Sequence, residues 1–442
     1  MTSVNASCEN DSQAIKAPNK GASLSQWLDY LLSIHPTEIE MGLTRVTEVA
    51  LRLNVLNLDS QVVTVAGTNG KGTTCAMIES VLLQAGKTVG VYSSPHLINF
   101  NERVRLNHQD VSDEQLIAAF IAIESARTQS QQTEISLSFF EYATLAGLYI
   151  FKQTQPDVVL LEVGLGGRLD ATNIIDADVT VITSIDIDHQ EYLGDTRELV
   201  GREKAGIFRE NCLAVIGEPD LPSTVLEYAA EINAKVYRVN KDFSYHLNGD
   251  KWQFSGKKCA INKLTLPKLP LANAATAIAV IEQTWPAISV ADITTGIATA
   301  SLSGRLEQVL DKPVVLVDVA HNPHAAKYLA SQLQQYKPAR IIALCGMLKD
   351  KDASAVLSEL NGTVNEWYFT SLDVDRGLDA QTLANQLPVS STNNSAKSVS
   401  YQFDSISQAW QGISANITAD DVVIVFGSFY TVAGFSKILQ RE

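Results

Sequence analysis

The chain has 442 residues, 45% of them apolar, which is enough for two domains of ordinary size, or three, each with a real core. A formal net charge of −15 argues against a nucleic-acid polymer as partner, but not against a small anion in a pocket that makes its own positive field. No stretch approaches the ~18 uninterrupted apolar residues of a membrane helix, and Met1–Gly21 is polar, so a flexible tail over 1–22 and a cytoplasmic protein with no membrane partner are expected. Five scattered cysteines without Cys-x-x-Cys spacing indicate neither a zinc site nor a disulfide framework.

In chain order, Leu24, Trp27, Leu28, Leu31 and Leu32 recur at helical spacing behind Ser23 or Ser25 as a cap. Pro36 ends that helix by disfavouring helical geometry at His35. A second helix is expected over Leu43–Leu53. The apolar run Val62–Val65 then stops at Gly67-Thr68-Asn69-Gly70-Lys71-Gly72-Thr73-Thr74, with a helical pattern to about Gln84. This is the layout of a phosphate cradle: glycines admit backbone N–H groups to an anion, the helix N-terminus adds positive charge, and Lys71 faces the outer phosphates. Thr73 or Thr74 could hold Mg²⁺. The spacing departs from the standard loop, with Val65 five positions before Gly70 and Gly72 after the lysine, so it reads as a subtype. The competing reading is a strand–turn–helix corner with an incidental lysine.

Thr88–Tyr92 is a short strand ending in Ser93-Ser94-Pro95-His96, and Arg103 and Arg105 follow, either in the site or on a solvated edge. Val111–Gln129 reads as a helix with a Ser112/Gln115 capping box, and Ser138-Phe139-Phe140-Glu141 opens another to Lys152. Phe139 and Phe140 are core residues or a lid on a flat aromatic ligand. Asp157–Leu161 is a buried strand ending at Glu162, where a carboxylate needs a partner or a cation, which makes Glu162 a magnesium-ligand candidate. Glycines follow, and Arg168 and Asp170 are expected to face the same region. A strand over Asp178–Ile185 leads to Asp186-Ile187-Asp188-His189, where His189 is a metal ligand or structural. Lys204 follows in Gly201–Phe208 and could be a plain surface lysine.

Leu213–Gly217 and Lys235–Val239 read as strands, Asp242–Phe254 as a hairpin around Asn248-Gly249-Asp250, and Leu271–Thr284 as an alanine-rich helix carrying Asn273. Composition shifts at Ser303-Gly304-Arg305. We expect a first domain over 23–303, a linker at 304–312 and a second domain over 313–442. The second opens with strand Val314–Asp318, then His321, Asn322 and Pro323, then a helix to about Tyr336. Further strands are Ile341–Leu344, Trp367–Thr370 and Val422–Phe426, and Ser390–Ser400 is loop-like. The alternation implies an α/β fold with mainly parallel sheets: a phosphate-loop domain with a small β-rich part, and a Rossmann-like second domain. A ligand between the two units suggests ATP-driven joining of two substrates.

The segments 67–74, 92–97, 162–173, 201–207 and 318–324 resemble the bacterial bifunctional dihydrofolate synthase/folylpolyglutamate synthase family of the Mur ligase superfamily. The resemblance covers nearly the whole chain and includes the odd spacing at Gly72. It implies that ATP phosphorylates the carboxylate of dihydropteroate, or the terminal γ-carboxylate of a reduced folate, and that L-glutamate then attacks the acyl phosphate. By the same resemblance, Thr68, Asn69, Gly70, Lys71, Gly72 and Thr73 cradle ATP, with Asn273, Arg305 and Asp318 at other nucleotide contacts. Ser94 and Glu162 hold one Mg²⁺, and His189 helps hold a second. Lys204 matches the lysine that is carbamylated, its carbamate reaching toward magnesium, and a monovalent cation is allowed. Lys71, Lys204 and His321 are the implied catalytic residues. Ser33, Ile34, His35, Pro36, Ser138, Phe139, Phe140, Glu141, Arg168, Leu169 and Asp170 are the implied acceptor-binding residues. A monomer is expected. Three rivals remain open: a folylpolyglutamate synthase alone, a Mur-type ligase for another carboxylate, and a phosphate-loop switch or regulatory ATPase.

Overall fold

A computed structural model describes residues 16–35, 40–129, 134–336, 338–388 and 399–440. The expectations for Pro36, for the first fifteen residues of the tail and for most of Ser390–Ser400 lie outside the described residues.

Eight strands form the first sheet: β1 (Gln61–Ala66), β2 (Val89–Tyr92), β3 (Val104–Leu106), β4 (Gln109–Asp110), β5 (Val158–Glu162), β6 (Val179–Ile182), β7 (Leu213–Ile216) and β8 (Lys235–Arg238). Their order is β4-β3-β2-β5-β1-β6-β7-β8, parallel from β2 to β8, with β3 and β4 turned back as an antiparallel edge. β1 and β5 are buried along nearly their whole length, as expected of Val/Leu runs covered on both faces. Replacing Leu160 by alanine there should cost about 2–5 kcal/mol.

The helices of this domain are α1 (Leu24–Ser33), α2 (Thr44–Leu53), α3 (Lys71–Gln84), α4 (Asp113–Arg127), α5 (Phe139–Thr154), α6 (Gln190–Leu193), α7 (Arg197–Ala205), α8 (Ser223–Glu231), α9 (Leu271–Thr284) and α10 (Val290–Thr299). α3, α9 and α10 share one core with one face of the sheet, and α1, α2, α4 and α5 share another. The capping boxes at Ser112/Gln115 and Ser138/Glu141 are both formed. The expected hairpin is β9 (Ser244–Asn248) and β10 (Lys251–Ser255), extended by a third strand, β11 (Ala260–Thr265).

The second sheet holds β12 (Glu307–Asp311), β13 (Val314–Asp318), β14 (Ile341–Cys345), β15 (Glu366–Thr370), β16 (Val399–Phe403) and β17 (Val422–Phe426), in the order β12-β13-β17-β14-β15-β16. All pairs but β12–β13 are parallel. The segment read as a linker, 304–312, is therefore largely β12, an edge strand of the second sheet. The connection lies just before it, at the Leu302–Arg305 turn. α11 (Pro323–Leu333) follows β13 with Asn322 as its cap.

The sheet order positions the site. β1 lies between β5 and β6, so the glycine-rich loop emerges between the strand ends that carry Glu162 and Thr183–His189.

Candidate active site

The loop is built before any anion arrives. Thr68 N–H donates to Ser184 O at 2.8 Å, and the Thr68 hydroxyl donates to Asp186 O and accepts from Asp186 N–H, each at 2.9 Å. Asn69 N–H donates to Ser184 Oγ at 3.0 Å, while Asn69 O accepts from the Thr183 hydroxyl at 2.7 Å. Thr68 and Asn69 thus spend side-chain and main-chain groups on the loop's shape, leaving the N–H groups from Gly70 to Thr73 for the anion. Gly70 has φ +88°, and a β-carbon there would come within 2.6 Å of the Asn273 amide. That amide donates to the Thr73 hydroxyl at 2.7 Å, and Thr73 in turn donates to Gly70 O at 3.0 Å. The Thr73 hydroxyl is thus engaged by Asn273 and Gly70, whereas the Thr74 hydroxyl is fully buried with no hydrogen-bond partner among the described residues.

Lys71 folds over the loop, its Nζ donating to Gly67 O at 2.8 Å and Thr68 O at 3.3 Å. Desolvation lowers its pKa, and the charge of Glu162 opposes that shift. Glu162, at the end of β5, is buried and accepts a long contact from Ser94 N–H at 3.4 Å. Burial raises its pKa, against the nearby charges of Lys71 and Arg305. Gly72 explains the odd spacing: a β-carbon at that position would stand 3.3 Å from both Glu162 oxygens and 3.2 Å from Leu302. The glycine therefore lets a carboxylate from a neighbouring strand lie beside the loop.

A magnesium ion fits this donor set. Glu162 is a hard, buried oxygen donor with an incomplete hydrogen-bond shell, and Ser94 carries a hydroxyl beside it. Among the described residues no three His, Cys, Asp or Glu side chains converge as a cage. An ion here would take its remaining oxygens from phosphate and water, as magnesium commonly does. His189 sits apart from Glu162 at the start of α6, with φ +49° and its ring 3.8 Å from Asp188.

Lys204, on α7, is 3% exposed, which overturns the surface-lysine reading. Burial, and then the charge of Lys71, push its pKa down to about 7, with Asp188 and Asp170 opposing. No carboxylate among the described residues pairs with its amine, so much of it is neutral and nucleophilic near neutrality.

On the other face of β5, Phe140 lies against the glycine segment: a β-carbon on Gly164 would meet its ring at 2.5 Å and Asp170 at 3.2 Å. Phe140 and Asp170 are thus brought together. Arg168 is not: it is exposed and donates to Glu203 at 3.0 and 2.9 Å, so Arg168 and Asp170 do not face one region. Asp170 is buried, accepting from Leu165 N–H at 2.9 Å and from Thr172 N–H and hydroxyl at 3.0 and 2.6 Å, and Leu169 is half-buried between them. Ser138 and Glu141 cap α5, and Glu141 also accepts from Arg45 at 3.0 and 3.1 Å. Arg45 also pairs with Glu40, which is 2.6 Å from His35, and His35 contacts Ser136 at 2.7 Å. Ser33 donates to Tyr30 O at 2.7 Å, and Ile34 packs against the adjoining core. The solvated reading fails for Arg103, which is buried over the Phe100 and Phe139 rings at 5.5 Å and donates to His96 at 2.9 Å. Arg105 pairs with the fully buried Glu79 at 3.2 Å.

The second domain completes the site from the end of β13. Asp318 accepts from Leu306 N–H at 2.8 Å and Ala320 N–H at 2.7 Å, fixing the chain on both sides of the strand. Arg305 lies over the Phe429 ring at 5.1 Å with Asp318 and Glu162 as its nearest charges. His321 contacts Val319 O through Nδ1 at 2.8 Å, which leaves Nε2 as an acceptor, and burial pushes its pKa down to about 4. A cleft of about 800 Å³ runs between the domains, lined by Gly72, Ser94, Glu162, Arg305 and Phe429 among others. Three contacts span the domains that single residues did not announce: Asn69 with Asn322 at 2.9 Å and with His324 at 3.3 Å, and Lys351 with Asp188 at 3.3 Å. Phe429 was equally silent. The available signal was Asn322-Pro323 as a helix start and Asp188 beside His189.

The Mur ligase middle-domain model matches residues 65–281, and the Mur ligase glutamate-ligase-domain model matches residues 304–429. The chain is 46% identical to the dihydrofolate synthase/folylpolyglutamate synthase of Escherichia coli K12 over 97% of its length and 98% of that protein's. It is 44% identical to the enzyme of the same name from Haemophilus influenzae, over 94% of this chain and 98% of the other. Among solved structures, E. coli FolC in complex with DHPP and ADP superposes with a TM-score of 0.90 at 46% identity, covering 96% of this chain and 99% of that one. A bifunctional folylpolyglutamate synthase/dihydrofolate synthase with Mn, AMPPNP and L-glutamate bound gives 0.88 at 44% identity, covering 96% and 100%. The chain belongs to the dihydrofolate synthase/folylpolyglutamate synthase family of Mur ligases.

Proposed function

We propose that this enzyme joins L-glutamate to dihydropteroate, giving dihydrofolate, and to the γ-carboxylate of reduced folates, giving folylpolyglutamates, with ATP cleaved to ADP and phosphate. The observation that carries the reading is the interdomain cleft lined by Gly72, Glu162 and Arg305, with the charges of Lys71 and Arg305 both acting on the buried Glu162 carboxylate. Relatives crystallised with DHPP and ADP, and with AMPPNP, Mn and L-glutamate, support the choice of substrates.

In the first step an acceptor carboxylate oxygen attacks the γ-phosphorus and ADP leaves. Main-chain N–H groups of the loop hold the phosphates, and Lys71 leaves Gly67 O and Thr68 O to follow the charge on the transferred group. Arg305 adds positive charge from the second domain. Bound magnesium, two ions in this reading, offsets charge on the phosphates and the attacked carboxylate; Ser94 and Glu162 would hold one, and His189 would contribute to the other. In the second step the glutamate amine attacks the acyl carbon and phosphate leaves as the amine loses a proton. His321, neutral at working pH, offers Nε2 as an acceptor on that side. The depressed pKa of Lys204 suits a carbamate, formed when the neutral amine adds CO₂ and releases a proton. A monovalent cation is compatible with such an anionic cluster. Closure of the cleft protects the acyl phosphate from water.

On the acceptor side, Phe140 stands near Asp170 while Phe139 packs against Phe100 under Arg103, with His35 and Glu141 fixing the surrounding loops. Asn273, Asp318 and Arg305 bound the nucleotide side. We read the protein as a cytoplasmic monomer with no nucleic-acid or membrane partner. Among the described residues no helix is long and apolar enough to cross a membrane.

Release of ADP, measured with dihydropteroate or a reduced folate and with or without glutamate, tests the reading. Glutamate-dependent turnover is expected with both acceptors. Turnover with reduced folates alone would reduce the enzyme to a folylpolyglutamate synthase, and glutamate-independent turnover would favour a regulatory ATPase.

A further inference from the structure

Among the described residues, the phosphate loop hydrogen-bonds the second domain through the Asn69 side chain, which meets Asn322 and His324. Asn322 caps α11, its Oδ1 accepting from Ala325 N–H at 2.9 Å. That bond fixes the orientation of the side chain, so Nδ2 faces the first domain, where it donates to Asn69 Oδ1 at 2.9 Å. The Asn69 amide returns toward Asn322 Oδ1 at 3.4 Å and lies 3.3 Å from His324 Nδ1. The main chain of Asn69 is clamped at the same time, its N–H on Ser184 Oγ at 3.0 Å and its carbonyl under the Thr183 hydroxyl at 2.7 Å. Asn69 is therefore a splint: its backbone belongs to the end of β6, its side chain to the second domain, and Lys71 lies two residues further on.

We propose that Asn322 is a positioning residue that sets the second domain in register on the phosphate loop, so that Arg305 and His321 are held against Glu162 and Lys71. The proposal rests on the ligase reading above, since a two-domain reaction is what requires this register. Both partners are neutral, so the contact is indifferent to the charge that phosphates and cations bring into the cleft. The nearby Lys351–Asp188 pair is not. A change at 322 reaches the loop only through the Asn69 side chain and leaves the main-chain bonds of Asn69 to Ser184 and Thr183 in place.

Asn322→Ser separates the two jobs of this side chain. Serine caps a helix about as well as asparagine, but it cannot bridge to Asn69. Small misplacements of reacting groups cost about 100-fold, and partial loss of register should lower kcat about tenfold or more. ADP affinity, measured by calorimetry, should stay within about threefold of wild type. In the nucleotide-free protein, hydrogen exchange over residues 67–73 should rise while exchange over residues 325–333 stays unchanged. The N69S/N322S double variant should be no slower than the slower single variant, because one contact is lost in each. A kcat within twofold of wild type overturns the proposal. So does ADP affinity falling in parallel with kcat, which would make Asn322 a ligand contact, or exchange rising in α11 instead of the loop, which would leave it a cap. The exchange and ADP measurements need no acceptor. If wild-type enzyme joined glutamate to neither acceptor, the ligase reading would fall while these measurements still decided whether Asn322 docks the loop.

Discussion

The two domains contribute to the cleft in different ways. The first brings a preformed device: a loop laced to β6, a lysine folded on it and a buried carboxylate beside it, all at adjacent strand ends. The second has no loop of its own and brings single side chains, Arg305, Asp318, His321 and Asn322, aimed by the start and end of β12 and β13. The difference teaches that anion binding can be local, while activation of one carboxylate against one amine requires charges placed from across a gap. Nucleotide affinity should follow the first domain, and turnover should follow both.

Variants divide along that line. The largest effect is expected at the loop: Lys71→Met should lower kcat at least about 1,000-fold, since it removes charge aimed at the transferred group, and it should also weaken ADP in a binding titration. If ADP bound to this variant as tightly as to wild type, Lys71 would be misassigned.

Lys204→Met should come next, with kcat down by about two to three orders of magnitude and no loss of stability. The sign follows from linkage. Unfolded lysine titrates near 10.5 and the folded group near 7, so the unfolded chain holds more protons between those values. Stability of the wild type should therefore rise with pH across about 7 to 10 in CO₂-free buffer, the full cost being present below 7. The methionine variant should lose this component, as urea titrations at pH 6.5 and 9 would register. Parallel curves for the two proteins would contradict the buried, depressed amine.

Arg305→Ala tests the second domain. A drop of about 100-fold in kcat with ADP affinity little changed is expected of a group that acts on charge in the transition state. An unchanged turnover rate would remove Arg305 from the chemistry. The smallest effect belongs to Phe429→Leu, which takes away the ring under the guanidinium but keeps its bulk; about three- to tenfold in kcat is expected from a cation–π contact of this kind, with tyrosine restoring most of it.

What could be read from the chain follows the same division. Loop, strand ends and capping boxes are local, and each is spelled within a few residues. Gly67–Thr74, Glu162 and Ser138/Glu141 are legible for that reason. β16 alternates apolar and polar residues, but it is only five residues long, mostly exposed, and begins inside the Ser/Asn-rich stretch read as a loop, so the sequence reading passes it by. α10 carries Thr294, Thr295 and Gly296, poor helix formers; it forms because Gly296 lets it rest on α3, where a β-carbon would lie 2.6 Å from Val81 Cα. Burial of Arg103 and Lys204 is a tertiary fact; from their own surroundings in the sequence both could be surface residues, and only the family resemblance placed Lys204 in the site. The Asn69–Asn322 contact joins positions 253 apart, and nothing near either residue announces the other. The linker was misread because β12 alternates weakly and pairs only at the sheet edge.

The central claim is that this cleft transfers phosphate to a carboxylate before glutamate attacks. Dihydropteroate labelled with ¹⁸O in its carboxylate, turned over with ATP and L-glutamate, tests it directly by mass analysis of the phosphate released. The account predicts one ¹⁸O carried into each inorganic phosphate formed along with dihydrofolate. Unlabelled phosphate, released at the same rate as ADP, would contradict it.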